Sequence, residues 1–309
     1  MKRLAITLLI SLAALSFAGC KVTKPMLKMI VSRSNKLSPE LYYADSLEHK
    51  IGIQYVDKGD PAQVFDVYYA DSSRRRDAVL IDIHGGFYVA GRRESNRRFG
   101  SVFLKEGYDL VLVEYRLNDG KRDVGDELGD CAAALDYLAG HAAELGLNKD
   151  RMFLTGDSAG GHMALYMAEG ASDASLPVRP ETFRPAGVLV NCPAYNYAEY
   201  GKMTFYTDKT LRWFLGPRYK DESWMASMSS RTYIGSYAGP LFASTCTHDF
   251  LREDVLLLKA DCDSLGREID FVDIASEDRK VGHVHNVTNL SLPESQTVNA
   301  RMLEFLDRL

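Results

Sequence analysis

An α/β fold, with a mostly parallel central sheet flanked by helices on both faces, is predicted by three features of the sequence. Strand-length apolar runs alternate with longer stretches of helical periodicity from residue 51 to residue 309. Several of those runs, at residues 78–83, 110–114 and 152–155, are almost continuously apolar, as strands buried on both faces are. The third feature is Thr155-Gly156-Asp157-Ser158-Ala159-Gly160-Gly161, where small residues cluster at the junction of a strand and a helix. Glycines two positions either side of a serine let a strained turn pass close to its surroundings and expose the hydroxyl.

The 309 residues are enough for one large domain, and the composition, 46% hydrophobic and 26% charged, is that of an ordinary globular chain. Disordered, collagenous and multi-span membrane classes are excluded on that basis. At the N-terminus, Lys2 and Arg3 precede an apolar run over residues 4–17 and then Ala18-Gly19-Cys20. A basic head, a hydrophobic stretch too short to span a bilayer comfortably and a small-residue exit predict an export signal over residues 1–19. Residues 20–50, of mixed charge with short apolar patches, follow as a tether or leader, and 51–309 form the folded domain.

Within that domain, residues 51–56 and 64–70 read as strands on the antiparallel edge of the sheet. Residues 78–83 and 110–114 read as buried strands. Between them, Phe99, Val102 and Phe103 share one face of a helix over 94–106. A longer helix is predicted over 126–144, where Leu128, Cys131, Leu135 and Leu138 recur at three- and four-residue intervals. The strand at 152–155 leads into the serine turn and a helix from 161 to 168. Further strands are expected at 187–192, 241–246 and 269–274, with helices at 251–265 and 294–309. Residues 195–237 are rich in aromatics and methionine, including Phe205, Tyr206, Trp213, Phe214, Trp224, Met225 and Met228. Inserted between two strands on the site's side, they predict a small helical lid whose apolar face lines a cleft.

The chain carries a net charge of −5. Arginines cluster at residues 74–76 and at 92, 93, 97 and 98, but no nucleic-acid module accompanies them, so solvated surface is the expected role. Cys131, Cys192, Cys246 and Cys262 are irregularly spaced, with no Cys-x-x-Cys pair to support a zinc knuckle or a thiol redox site. One or two disulfides are open in an oxidising compartment, without a readable pairing. The oligomeric state is not readable either.

On His84-Gly85-Gly86-Phe87, Glu114-Tyr115-Arg116-Leu117, Gly156-Asp157-Ser158-Ala159-Gly160-Gly161 and Gly282-His283-Val284-His285, the sequence resembles the serine-dependent α/β-hydrolase fold, in particular its hormone-sensitive-lipase-like esterase branch. The resemblance covers about residues 50–309 and implies Ser158 as nucleophile, His285 as general base and Asp249 as the carboxylate orienting it. His283 competes with His285 for the base, and Asp254 with Asp249 for the acid. An Asp254 in the first turns of a helix has an ordinary explanation in helix-terminal electrostatics. The glycine-rich loop implies backbone donors to an oxyanion from Gly86, Phe87 and Ala159, with His84 and Gly85 supporting the turn. Phe87 stands where that family often has a third glycine. Arg116 and Asp130 are expected to pair in support of the scaffold. Ala18-Gly19-Cys20 resembles a bacterial lipoprotein processing box, which implies a lipidated Cys20, membrane attachment and a place in the cell envelope, a plain secretory signal being the alternative.

The activity so implied is that of a serine carboxylesterase acting through a covalent acyl-enzyme on small or medium acyl esters, including acetylated carbohydrates. It requires no metal or other cofactor and no nucleic-acid partner. An amidase or peptidase on the same scaffold, and a noncatalytic surface binding protein, are the competing readings.

Overall fold

The computed structural model describes residues 22–26 and 43–309, so the export segment, Cys20 and most of the leader lie outside the described residues. Eight strands form one sheet in the order β1-β2-β4-β3-β5-β6-β7-β8. These are β1 (His49–Gln54), β2 (Val64–Tyr68), β3 (Val79–Ile83), β4 (Asp109–Val113), β5 (Met152–Asp157), β6 (Gly187–Asn191), β7 (Leu241–Cys246) and β8 (Asp270–Ile274). The β1–β2 and β2–β4 pairs are antiparallel. From β4 through β3 to β8 every pairing is parallel, as buried apolar runs separated by helices require.

Alternation along the strands sorts their side chains into two cores. Val79, Ile81, Val111, Leu154 and Val190 pack on one face with Leu128, Leu135 and Leu138 of helix α2 (Val124–Leu145) and with helix α3 (Ala159–Ser172). Leu80, Leu110, Phe153, Leu189 and Phe242 pack on the other with Phe99 and Phe103 of α1 (Arg97–Lys105) and Met302 and Phe305 of α9 (Pro293–Asp307). Helix α2 starts on a capping box between Asp123 and Asp126 and stops at Gly146, whose φ of 66° is the left-handed conformation glycine takes without strain.

Between β6 and β7 the chain inserts a 3₁₀ turn (Tyr197–Lys202) and three short helices, α4 (Asp208–Leu215), α5 (Glu222–Ser227) and α6 (Ser230–Tyr233). After β7 come α7 (Arg252–Ser264), β8, α8 (His285–Thr288) and α9. The insertion is fastened to the body by polar contacts as well as by its aromatics. Asp254 of α7 accepts from the Tyr195 and Asn196 amides at 2.8 and 3.1 Å and from the Tyr200 hydroxyl at 2.6 Å. Arg218 pairs with the Asp123 cap at 2.8 Å, and His162 Nε2 of α3 donates to the Met228 carbonyl at 2.8 Å. Val22 reaches the insertion too, in a parallel bridge to Tyr206.

Arg116 and Asp130 form the expected pair, in a two-point contact at 2.8 and 2.7 Å that also holds the Arg116 amide. Cys131, Cys192, Cys246 and Cys262 are all buried and unpaired, so no disulfide forms among the described residues. No described helix is long and apolar enough to cross a membrane.

Candidate active site

Ser158 stands between the last residue of β5 and the first of α3 with φ 55° and ψ −120°. This strained left-handed turn is rare for a residue with a side chain. Its neighbours explain the flanking glycines. A Cβ on Gly156 would lie 2.4 Å from the Gly160 carbonyl oxygen, and one on Gly160 would lie 2.0 Å from that of Ile83. The Ser158 backbone is pinned by its amide, which donates to Asn191 at 2.9 Å, and by its carbonyl, which accepts from His162 and Ala194.

The loop after β3 is bent through three consecutive positive φ values, 138° at Gly86, 56° at Phe87 and 63° at Tyr88. At Gly86 a Cβ would come within 2.1 Å of the Ala90 carbonyl oxygen, so only glycine fits. The base of the loop is held from below. His84 lies fully buried with Nε2 3.1 Å from Glu114 Oε1, its ring stacked on Tyr115, whose hydroxyl donates to the His84 carbonyl at 2.7 Å. Burial works against a charged imidazole there, but Glu114 outweighs it and the His84 pKa is raised. The Gly85 amide donates to Asp157 Oδ1 at 2.9 Å. By contrast, Gly86, Phe87 and Ala159 donate no backbone hydrogen bond to any described residue outside regular helices and strands.

Asp249 and His283 lie on the loops after β7 and β8. Asp249 Oδ1 meets His283 Nδ1 at 2.6 Å, and the carboxylate also accepts from the Leu251 amide at 2.9 Å and the Thr245 hydroxyl at 2.8 Å. Burial alone would raise the Asp249 pKa, but His283 and these donors hold it below the ordinary carboxylate value. Since the carboxylate can only accept, His283 carries its proton on Nδ1 and presents Nε2 as a base. That Nε2 is buried and without a hydrogen-bond partner. The ring packs against Phe250 with centroids 4.0 Å apart, and Phe250 stacks in turn on Phe87.

The implied relay of Ser158, Asp249 and His285 is therefore corrected on two counts. First, the imidazole that meets Asp249 is that of His283, not His285. Val284 takes φ 51°, so the chain turns between the two histidines and sends His285 into the core, where Nδ1 lies 3.0 Å from Ser295 Oγ of α9. Burial depresses the His285 pKa, disfavouring a charged ring. Second, the nucleophilic side chain gathered with the Asp249–His283 pair is Cys192, not Ser158: one donor atom from each of Cys192, Asp249 and His283 lies within 4.8 Å of the others. Cys192 follows the last residue of β6 with φ 46°, and its sulfur accepts from the Val284 amide at 3.3 Å, under the histidine loop. The sequence offered no signal for this, because an isolated cysteine after an apolar strand has the pattern of a core residue. Asp254, the rival acid, serves instead as the anchor of the insertion.

Sulfur, carboxylate and imidazole together are also a donor set that could hold a divalent ion. The 2.6 Å contact between Asp249 and His283 leaves no space for an ion between them, so the arrangement as it stands is that of an acid–base pair.

Fold and site together define an α/β-hydrolase: a mostly parallel sheet, a strained turn after β5, a bent glycine loop after β3, and an acid and a histidine on the loops that follow β7 and β8. The chain belongs to the BD-FAE family, whose model matches residues 65–251. The serine dependence that the resemblance to the hormone-sensitive-lipase-like branch implied is corrected by the grouping of Cys192 with Asp249 and His283, while hormone-sensitive lipase of Bos taurus is 28% identical over 121 residues, covering 39% of this chain and 15% of that protein. Among curated proteins, Lipase 2 of Moraxella sp. (strain TA144) is 34% identical over 94 residues, covering 30% of this chain and 22% of that protein. Esterase LipU of Mycobacterium tuberculosis is 37% identical over 101 residues, covering 32% and 31%. The chain thus spans less than a third of the length of either relative. Among solved structures, esterase B from Lactobacillus rhamnosis has a TM-score of 0.77 at 23% identity, over 98% of this chain and 95% of that one. A truncated carbohydrate esterase from gut microbiota has a TM-score of 0.68 at 14% identity, over 84% and 96%.

Proposed function

We propose that this protein hydrolyses carboxylic esters of small molecules or carbohydrates, with the Asp249–His283 pair as its acid–base machinery. The observation that carries the reading is the 2.6 Å contact that fixes His283 with Nε2 unpartnered. His283 takes a proton from the attacking group and returns it to the leaving alcohol, while Asp249 stabilises the imidazolium between the two events. The amides of Gly86, Phe87 and Ala159 stabilise the negative charge that develops on the carbonyl oxygen. The related proteins named as esterases, and the structural neighbour named as a carbohydrate esterase, support the substrate class.

Cys192 is the nucleophile that its grouping with the pair puts forward. Its thiol is fully buried, and burial together with the Asp249 charge pushes its pKa well above the ordinary value. No preformed thiolate is available, so the sulfur attacks only if His283 takes its proton in the same step. Ser158 is a site residue by virtue of its strained turn. Trapping the acyl-enzyme and mapping it by mass spectrometry separates the two. An acyl group on Cys192, with activity lost in Cys192→Ala, supports the sulfur. An acyl or fluorophosphonate adduct on Ser158, with Cys192→Ala fully active, excludes it. A panel of aryl esters, acetylated sugars and matched amides tests the substrate class, and turnover of amides alone would overturn it.

We further propose that the chain is exported, that residues 1–19 are removed and that Cys20 is lipidated, with the lid comprising residues 195–237. The basic head, apolar run and Ala18-Gly19-Cys20 support the export reading. Metabolic labelling with a fatty-acid analogue, abolished in Cys20→Ala, tests the lipid.

A further inference from the structure

Behind the glycine loop, at the C-terminal ends of β3 and β5, two aspartates share one amide. Asn96 Nδ2 donates to Asp157 Oδ1 at 2.7 Å and to Asp82 Oδ1 at 3.2 Å. Asp82 is 1% exposed, and its Oδ2 has no hydrogen-bond partner. Its register partners on β4 and β5, Leu112 and Thr155, bring no charge to it. The charged and titratable groups that face it are Asp157 from the end of β5 and His84 from the end of its own strand, the latter held by Glu114 of the β4 end and through it by Arg93. The α1 face above supplies Asn96 and the apolar Phe99 and Phe103. The His84 charge favours an ionised Asp82, but burial and Asp157 outweigh it together with Asn96. An ionised carboxylate left in such a place, with an oxygen unpartnered and a second carboxylate beside it, is far more costly than a neutral acid.

We propose that Asp82 is a neutral carboxylic acid sharing Asn96 with Asp157, and that this arrangement fixes the oxyanion loop through the Gly85 amide. Asp82 is then a positioning residue for the ester hydrolysis proposed above, on which this inference rests. The chain of contacts is short: Asp157 accepts from both Asn96 and Gly85, and Gly85 adjoins the donor Gly86. A proton on Asp82 removes the charge that would otherwise compete for Asn96 and repel Asp157. Burial and the Asp157 charge push the Asp82 pKa up to about 8, which places loss of that proton on the alkaline side of neutrality.

The variant Asp82→Asn reproduces the neutral acid in shape and cannot ionise. In the wild type, kcat/KM on a neutral aryl ester is expected to fall by about five- to tenfold between pH 7 and 9.5, the effect of weakening one hydrogen bond. In Asp82→Asn that decline is expected to disappear, while Asp82→Ala loses activity at every pH. A second readout needs no turnover. Because the unfolded aspartate ionises near 3.8 and the folded one near 8, folding takes up a proton between those values, and wild-type stability from this group falls as pH rises. The Tm of Asp82→Asn minus that of the wild type should therefore grow by about 3 °C per pH unit from pH 5 to 7.5. Infrared difference spectra of the wild type between pH 6.5 and 9.5 should also show loss of a buried carboxylic C=O band, which covers the case of a variant that does not fold. A pH-independent Tm difference, or no such band, would overturn the proposal. If no ester is turned over, the thermal and infrared measurements still decide it. If esters are turned over and both are flat, only the role of Asp82 fails.

Discussion

At the residue scale, two histidines separated by one residue have opposite fates because Val284 between them takes a left-handed conformation. The motif Gly282-His283-Val284-His285 was legible in the sequence, and both rings were candidates for the base. Which ring faces the site depends on a single backbone angle, and composition and spacing carry no information about that angle. Glycines at tight contacts were more legible, since the approach of Gly160 to Ile83 is the reason the serine turn needs small neighbours. Substituting Gly160→Ala forces a methyl against backbone that cannot yield. We expect a stability loss of about 1–3 kcal/mol in urea titrations, with activity lost in parallel. Cys192 was illegible as a site residue because its place beside Asp249 and His283 is created by tertiary packing alone.

At the element scale, all eight strands were legible to within two residues, the five from β3 to β7 because strands buried on both faces leave long apolar runs. The helix read over 94–106 resolves into a 3₁₀ turn at Arg93–Asn96 and α1 at Arg97–Lys105, a distinction that hydrophobic periodicity does not encode. The insertion between β6 and β7 was visible from its aromatics, but its anchor was not. Asp254 looked like a rival catalytic acid or an ordinary helix-start carboxylate, and instead it gathers the Tyr195 and Asn196 amides and the Tyr200 hydroxyl. Replacing Asp254 by alanine leaves those donors without their acceptor. Loss of about 1.5–3 kcal/mol is expected in denaturant melts, together with a rise in KM larger than the fall in kcat if the insertion is the lid proposed above. An unchanged KM would separate the insertion from substrate binding.

At the scale of the whole molecule, stability should respond to acid through a histidine outside the acid–base pair, behind the serine turn. His162 of α3 is fully buried, donating through Nε2 to the Met228 carbonyl with Nδ1 3.2 Å from the Tyr88 hydroxyl, and burial depresses its pKa to about 4. Below its ordinary value of 6.5 the unfolded chain takes up a proton that the folded chain refuses. The stability contributed by this group is thus complete above pH 6.5 and declines as pH falls toward 4, by about 1.4 kcal/mol per pH unit at most. Asp249 adds a second acid limb: its depressed pKa contributes stability above the unfolded value of 3.8, and this is lost as pH falls through the folded value. Thermal melts of the wild type and His162→Gln between pH 4 and 7 should converge as pH falls, and parallel curves would contradict the assignment of a buried neutral ring. The same ring ties the body of the fold to the insertion, so acid is expected to loosen the insertion before the sheet.

The proposed ester hydrolysis depends on Asp249 and His283 acting as the acid–base pair of the site. Its most direct test is the kcat/KM of the purified protein on a chromogenic aryl ester, compared among the wild type, His283→Gln and His285→Gln, with circular dichroism to establish that each variant folds. Loss of the general base should reduce His283→Gln by about 10²–10⁴-fold, while His285→Gln, whose ring meets Ser295 in the core, stays within about tenfold of the wild type. A folded His283→Gln of near wild-type activity, beside an inactive folded His285→Gln, would exclude His283 as the base.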